Sequence, residues 1–231
     1  MRKLVLNYFY EKIKKHDLPT YTNEEERFHW ISHLIGLALG VIFFVLIILF
    51  SKDKTFTFLQ VASLLFYLFT LMLLYFASAF YHYTDQLSIY KKPLRLLDHS
   101  AIYFLIAGTY APICAFALNG SYYGIIIMAI QFVGLLTGVL MNLFNFHSKA
   151  TKVIGIFLYV IMGWVIAIVF PAIKFLSFNV FLFVLLGGLM YTIGVLFYTV
   201  GKKTKWMHGI FHIFVLLGTI LQFIGILFLF I

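Results

Sequence analysis

Seven times along this chain of 231 residues an apolar run recurs that is long enough to cross a bilayer, and only one formal charge, Asp98, falls inside any of them. The runs lie at approximately 28–50, 56–81, 96–118, 122–144, 153–173, 178–200 and 206–231. A hydrocarbon core about 30 Å thick needs about 20 residues of helix, and a backbone inside it must satisfy its own hydrogen bonds. Each run therefore reads as a helix, and the chain as an all-α integral membrane protein with seven transmembrane helices. Only 11% of its residues are charged, against roughly 25% in an ordinary soluble domain.

The connectors are short and polar: "SKDKT" (51–55), "TDQLSIYKKP" (84–93), "NGS" (119–121), "NFHSKA" (145–150) and "GKKTK" (201–205). They leave no room for an inserted soluble domain, so residues 27–231 read as a single seven-helix domain. The first run is too long, too late and too closely followed by others to read as a cleaved signal peptide. Cys114 is the one cysteine, which excludes a disulfide framework and a thiolate metal site. "GLALG" (36–40) and "GLLTG" (134–138) match the small-residue spacing of close helix contacts and are read as packing.

The formal charge of +9 suggests nucleic acid until it is mapped onto the loops. Arg2, Lys3, Lys12, Lys14, Lys15, Arg27, Lys91, Lys92, Arg95, Lys149, Lys152, Lys202, Lys203 and Lys205 fall on the side of the N-terminus, and only Lys52, Lys54 and Lys174 fall opposite. The positive-inside rule then places the N-terminus in the cytoplasm and, after seven crossings, the C-terminus outside the cell membrane. No nucleic-acid partner is needed to explain the charge. Residues 1–26 form a separate cytoplasmic segment, in which Leu4, Tyr8, Phe9 and Ile13 recur at roughly helical spacing among lysines, as in an amphipathic helix lying on anionic headgroups.

Ionisable residues at membrane depth are costly unless paired or used, so they mark function. His208 and His212 open the seventh run four residues apart, on one helix face. Ser78 and His82 close the second run at the same spacing, and Asp98 and His99 open the third. Glu24, Glu25, Glu26, His29 and His33 stand at the start of the first. The topology from lysine and arginine puts all of these at one level, near the cytoplasmic leaflet. His16 and His147 read as ordinary interfacial histidines.

Three neutral imidazoles and one open position make the ligand set of a catalytic zinc, which lowers the pKa of a bound water to about 7. His82, His208 and His212 are the expected ligands. Asp98 is placed to take a proton and Ser78 to orient a ligand, with Glu25, Glu26, His29, His33 and His99 as candidates for the surrounding polar shell. Asp98 also reads as an N-cap or a partner of Arg95 at a helix start. A di-iron centre needs about twice the ligands. Bis-histidine haem leaves Asp98 and His208 unexplained, and a proton relay wants carboxylates on both sides of the midplane.

Four stretches, "EERFHWISHLIG" (25–36), "SAFYH" (78–82), "RLLDHSAIYFLIAGTYAP" (95–112) and "HGIFH" (208–212), together resemble the haemolysin III family, the bacterial branch of the adiponectin and progestin receptor superfamily of seven-helix membrane proteins. The resemblance covers nearly the whole chain from about residue 24. It implies zinc on His82, His208 and His212, with Asp98 and Ser78 beside the metal-bound water, a cytoplasmic site and an N-in topology. Relatives that hydrolyse ceramide imply hydrolysis of a lipid amide, while the family name records a link to cell lysis. His29 stands where the family usually has asparagine, and could add a fourth nitrogen. The expected function is thus a zinc-dependent hydrolase of a lipid amide or ester. The alternatives are a non-enzymatic membrane-state regulator or receptor-like protein with structural zinc, and a lytic protein. Membrane lipids are the expected partners.

Overall fold

The computed structural model describes residues 18–146, 148–201 and 204–231. The amphipathic segment read in residues 1–17, with His16, lies outside them, as do His147, Lys202 and Lys203. Among the described residues the chain is helical, with no strand: α1 (Asn23–Ser51), α2 (Phe58–Tyr83), α3 (Lys91–Phe116), α4 (Tyr122–Asn145), α5 (Lys149–Gly163), α6 (Phe178–Val200) and α7 (Met207–Leu227). Six of these, all but α5, are long and apolar enough to cross a membrane. Large apolar side chains face outward along them, Phe58 at 89% and Phe144 at 85% exposure, a surface that suits lipid rather than water. This is a multi-span membrane protein.

The fifth apolar run differs from its expected single helix. α5 is 15 residues long and stops at Gly163; a short helix at Val165–Ile168 and a 3-10 turn at Phe170–Phe175 follow. Pro171 sits at the start of the 3-10 turn and cannot continue an α-helix, having no N–H and a ring that clashes with the preceding turn. The carbonyls released at the break are met from within the protein. Tyr110 Oη donates to Gly163 O at 2.6 Å, and Gln131 Nε2 donates to Met162 O at 2.8 Å. Such compensation allows a broken helix in an apolar surround.

α1, α3 and α5 start earlier than their apolar runs. Thr22 caps α1 in a reciprocal box with Glu25, so Glu24, Glu25 and Glu26 form its first turn. α3 begins at Lys91, because Pro93 fits a first turn, where its missing N–H has no partner to lose. Asp98 therefore lies roughly two turns inside α3 rather than at its start. It is not an N-cap, and the favourable end of the helix dipole does not act on it.

The helices close into a ring, each touching its neighbour in sequence order and α7 returning against α1, with α3 also reaching α5 and α7. α3 is the inner helix: 72% of its most apolar window is buried, against 22% for α1. Close approaches between helices rest on glycine. A Cβ at Gly36 would stand 2.2 Å from the Tyr75 ring and one at Gly138 2.2 Å from Tyr103, while Gly40 faces Leu71 and Met72 and Gly134 faces Met162. Both small-residue motifs are helix contacts.

Candidate metal centre

The first turns of α1 and α7, the last turn of α2 and the first two turns of α3 meet at one end of the ring. Their junction is fixed by two glutamates. Glu25 is buried; one of its carboxylate oxygens accepts from Thr22 N at 2.9 Å, and the other accepts from Trp206 N at 2.7 Å. That second bond anchors the start of α7, where Trp206 holds a left-handed backbone (φ 65°). Glu26 reaches across to α2 and α3, accepting from Lys91 Nζ at 2.9 Å and from Gln86 Nε2, and lying 2.6 Å from His82 Nδ1. Lys91 is fully buried, and also donates to Tyr81 O at 2.9 Å and Thr84 O at 2.8 Å.

Within this frame the imidazoles converge. His82 Nε2 lies 3.4 Å from His208 Nε2, which lies 3.2 Å from His212 Nε2. The opposite nitrogens of two of them are held by oxygen: His82 Nδ1 by Glu26, and His212 Nδ1 by Ser32 Oγ at 3.0 Å. Ser32 already donates to His29 O at 2.8 Å, so it accepts from His212 Nδ1–H. Both rings then carry a proton on Nδ1, which in a neutral imidazole leaves the Nε2 lone pair for a metal. Three Nε2 atoms face one another with at most one hydrogen to share, which hydrogen bonding alone does not satisfy. Imidazole nitrogens gathered at such contacts form a donor set that could hold a metal ion.

Two further histidines of α1 join the cluster. His29, 0% exposed, packs its ring 4.7 Å from His82, 4.8 Å from His208 and 4.9 Å from His212. One ligand atom from each of His29, His82 and His208 lies within 4.8 Å of the others, a buried group that could hold a metal. His33 packs against His212 with the rings tilted and their centroids 3.8 Å apart. His99 does not join these rings; it packs edge-on against Phe146 at 5.2 Å. Glu24 is exposed.

The Asp98 carboxylate interacts with the Ser78 side chain, and the charges of Arg95 and Lys91 also act on it. They line a cavity of about 150 Å³ together with His208 and His212. From there the cavity runs inward past Ile106, Tyr110, Val184 and Val215 and is predominantly apolar.

Three parts of this site escaped sequence reasoning. Ser32 was visible only as one member of the buried stripe His29, Ser32, His33, Gly36, Gly40, whose helical period places it beside the histidines. Lys91 entered the topology count but not the site, because its partner Glu26 is 65 residues away. Tyr21, just before α1, stacks on His208 at 5.1 Å and meets His29 edge-on at 4.8 Å. Burial pushes its phenol well above the ordinary range, so it covers the imidazoles as a neutral ring.

A family profile described as haemolysin-III related matches residues 21–223. The chain belongs to the haemolysin III family. It is 34% identical over 193 residues to the hemolysin-3 homolog of Bacillus subtilis (strain 168), covering 83% of this chain and 88% of that protein. It is 33% identical over 192 residues to hemolysin-3 of Bacillus cereus, covering 82% and 84% respectively. The match to the haemolysin III profile spans the cluster on α1, α2 and α7 and the Ser78–Asp98 pair, and leaves out only the ends of the chain.

Proposed function

We infer that this haemolysin III protein is a zinc-dependent membrane hydrolase that cleaves a lipid amide or ester. The observation that supports the reading most is the join between two features. His82, His208 and His212 meet through Nε2 contacts of 3.4 and 3.2 Å, and two of them, His208 and His212, line an apolar cavity that also carries a carboxylate, Asp98. His82, His208 and His212 would hold the ion, while Glu26 and Ser32 fix two of their rings. When bound, zinc supplies Lewis acidity, polarising a carbonyl and lowering the pKa of water to about 7.

The remaining roles fall to the chain. The apolar cavity binds the acyl portion of a lipid and excludes bulk water from the reacting bond. Asp98 takes the proton of the attacking water and returns it to the leaving amine or alcohol, acting as general base and then general acid. Ser78 holds the carboxylate by its hydrogen bond, and Arg95 balances its charge. The distribution of basic residues over the loops supports a cytoplasmic-leaflet position for this end of a seven-crossing domain over residues 27–231, in which the broken fifth segment is the remaining crossing.

The test is lipid hydrolysis by purified protein in nanodiscs, followed by mass spectrometry of released fatty acid from N-acyl and ester lipids. Wild type is expected to release fatty acid, and Asp98→Asn to retain zinc and fold while losing release. Full activity in Asp98→Asn, or a zinc-loaded wild type inert toward every amide and ester lipid, would reject the mechanism. A second reading, a structural metal clamping α1, α2 and α7 in a non-enzymatic regulator, is favoured by the extra imidazole of His29 against the cluster.

A further inference from the structure

His29 is a buried imidazole with nothing to do. Neither ring nitrogen has a hydrogen-bond partner; Nδ1 stands 3.9 Å from Glu26 Oε2, beyond hydrogen-bond distance. A buried polar group left unpaired is costly and calls for a partner the protein alone does not provide. The ring sits nearly equidistant from His82, His208 and His212, and its ligand atom is within 4.8 Å of those of His82 and His208. The backbone leaves room for it there: a Cβ on Gly209 would come 3.0 Å from Phe28, tighter than ordinary contact, and 3.6 Å from His29 Nε2, so glycine at 209 eases the approach of α1 to α7.

We propose that His29 is a fourth imidazole ligand of the metal, occupying in the resting protein the coordination position that would otherwise be open to water. This rests on the metal reading of His82, His208 and His212, but not on hydrolysis. His82 and His212 are each held by an oxygen on the far side of the ring, whereas neither nitrogen of His29 has a hydrogen-bond partner. His29 can therefore leave the metal without breaking such a bond. Its departure opens the position without disturbing Glu26 or Ser32.

The experiment is zinc K-edge X-ray absorption on full-length wild type, His29→Asn, His29→Gln and His33→Asn, with zinc content, thermal melting and size-exclusion profile measured on each. The wild-type spectrum is expected to fit four imidazoles. Both His29 variants should fit three imidazoles and a lighter oxygen donor, and the His33→Asn spectrum should match wild type. In the cobalt-substituted protein, added azide is expected to shift the visible bands of the His29 variants at concentrations at least tenfold lower than in wild type. A folded, zinc-loaded His29 variant with the wild-type spectrum and azide response would overturn the assignment of His29 while leaving the three-histidine site standing. A folded wild type without bound metal would overturn both.

Discussion

Glu26 Oε2 lies 2.6 Å from His82 Nδ1, a contact between residues 56 positions apart that ties the first turn of α1 to the last turn of α2. The same carboxylate accepts from the buried Lys91 ammonium of α3. One side chain thus orients an imidazole, neutralises a cation and joins three helices.

Glu26 is therefore expected to matter twice over. Glu26→Gln keeps a hydrogen-bonding side chain but loses the charge that raises the basicity of His82, and should weaken zinc binding by about 10–100-fold. Glu26→Ala also leaves Lys91 buried and uncompensated, at a cost of about 3–5 kcal/mol. Thermal melting should then show a large loss that Glu26→Ala with Lys91→Met partly restores. A double variant no more stable than Glu26→Ala would show that the ion pair is not what the glutamate secures.

Purified protein is expected to carry about one zinc per chain. His208→Ala and His212→Ala should each lower occupancy strongly in elemental analysis, whereas His99→Ala, whose ring packs on Phe146, should leave it near wild type. Iron or haem in place of zinc would contradict the ligand assignment in kind.

Topology has its own test. A reporter fused after Ile231 should read as external and one inserted in "GKKTK" (201–205) as cytoplasmic, since the first lies seven crossings and the second six crossings from the N-terminus. A cytoplasmic C-terminus would mean that the segment broken at Gly163 does not cross.

The helices were legible because apolar length alone nearly dictates them, and the metal candidates because histidine is rare and costly in such runs. What sequence misplaced has a local cause in each case. The start of α3 was set at the apolar boundary, but polar Lys91, Lys92 and Arg95 also belong to the helix, since hydropathy marks where lipid begins and not where the helix does. That error made Asp98 look like a cap. The break after Gly163 was hidden because the segment is apolar throughout, and Pro171 accounts only for the later stop at Ile168. Glu26 and Ser32 could be placed at the right level, but which imidazole each would hold depends on how α1 is rotated against α2 and α7. That rotation is set by close contacts at Gly36, Gly40 and Gly209, which no single helix displays.

Gly36 offers a test of how that packing supports the site. A Cβ there would lie 2.2 Å from two atoms of the Tyr75 ring, far inside contact distance, so Gly36→Ala requires either the ring or α1 to move. The ring is poorly able to give. Tyr75 is fully buried, and its hydroxyl donates to Thr219 Oγ1 at 2.7 Å on α7, which itself lies 2.9 Å from Tyr191 Oη. Overpacking of this kind costs typically about 1–3 kcal/mol. It should also be felt at the cluster, because the Tyr75 ring meets His33 edge-on at 5.2 Å and His33 packs at a tilt against His212 at 3.8 Å. Gly36→Ala is therefore expected to lower the melting temperature and, at temperatures where the protein is still folded, to weaken zinc binding measured by competition with a chelator. Gly163→Ala is the matched comparison: nothing lies within 4 Å of its added Cβ, and a substitution without such a clash should change stability by no more than about 0.5 kcal/mol. If Gly36→Ala melts like wild type, Tyr75 is not the fixed wall between α1 and α7; if it melts lower but binds zinc unchanged, the path from Tyr75 through His33 to His212 does not carry the strain.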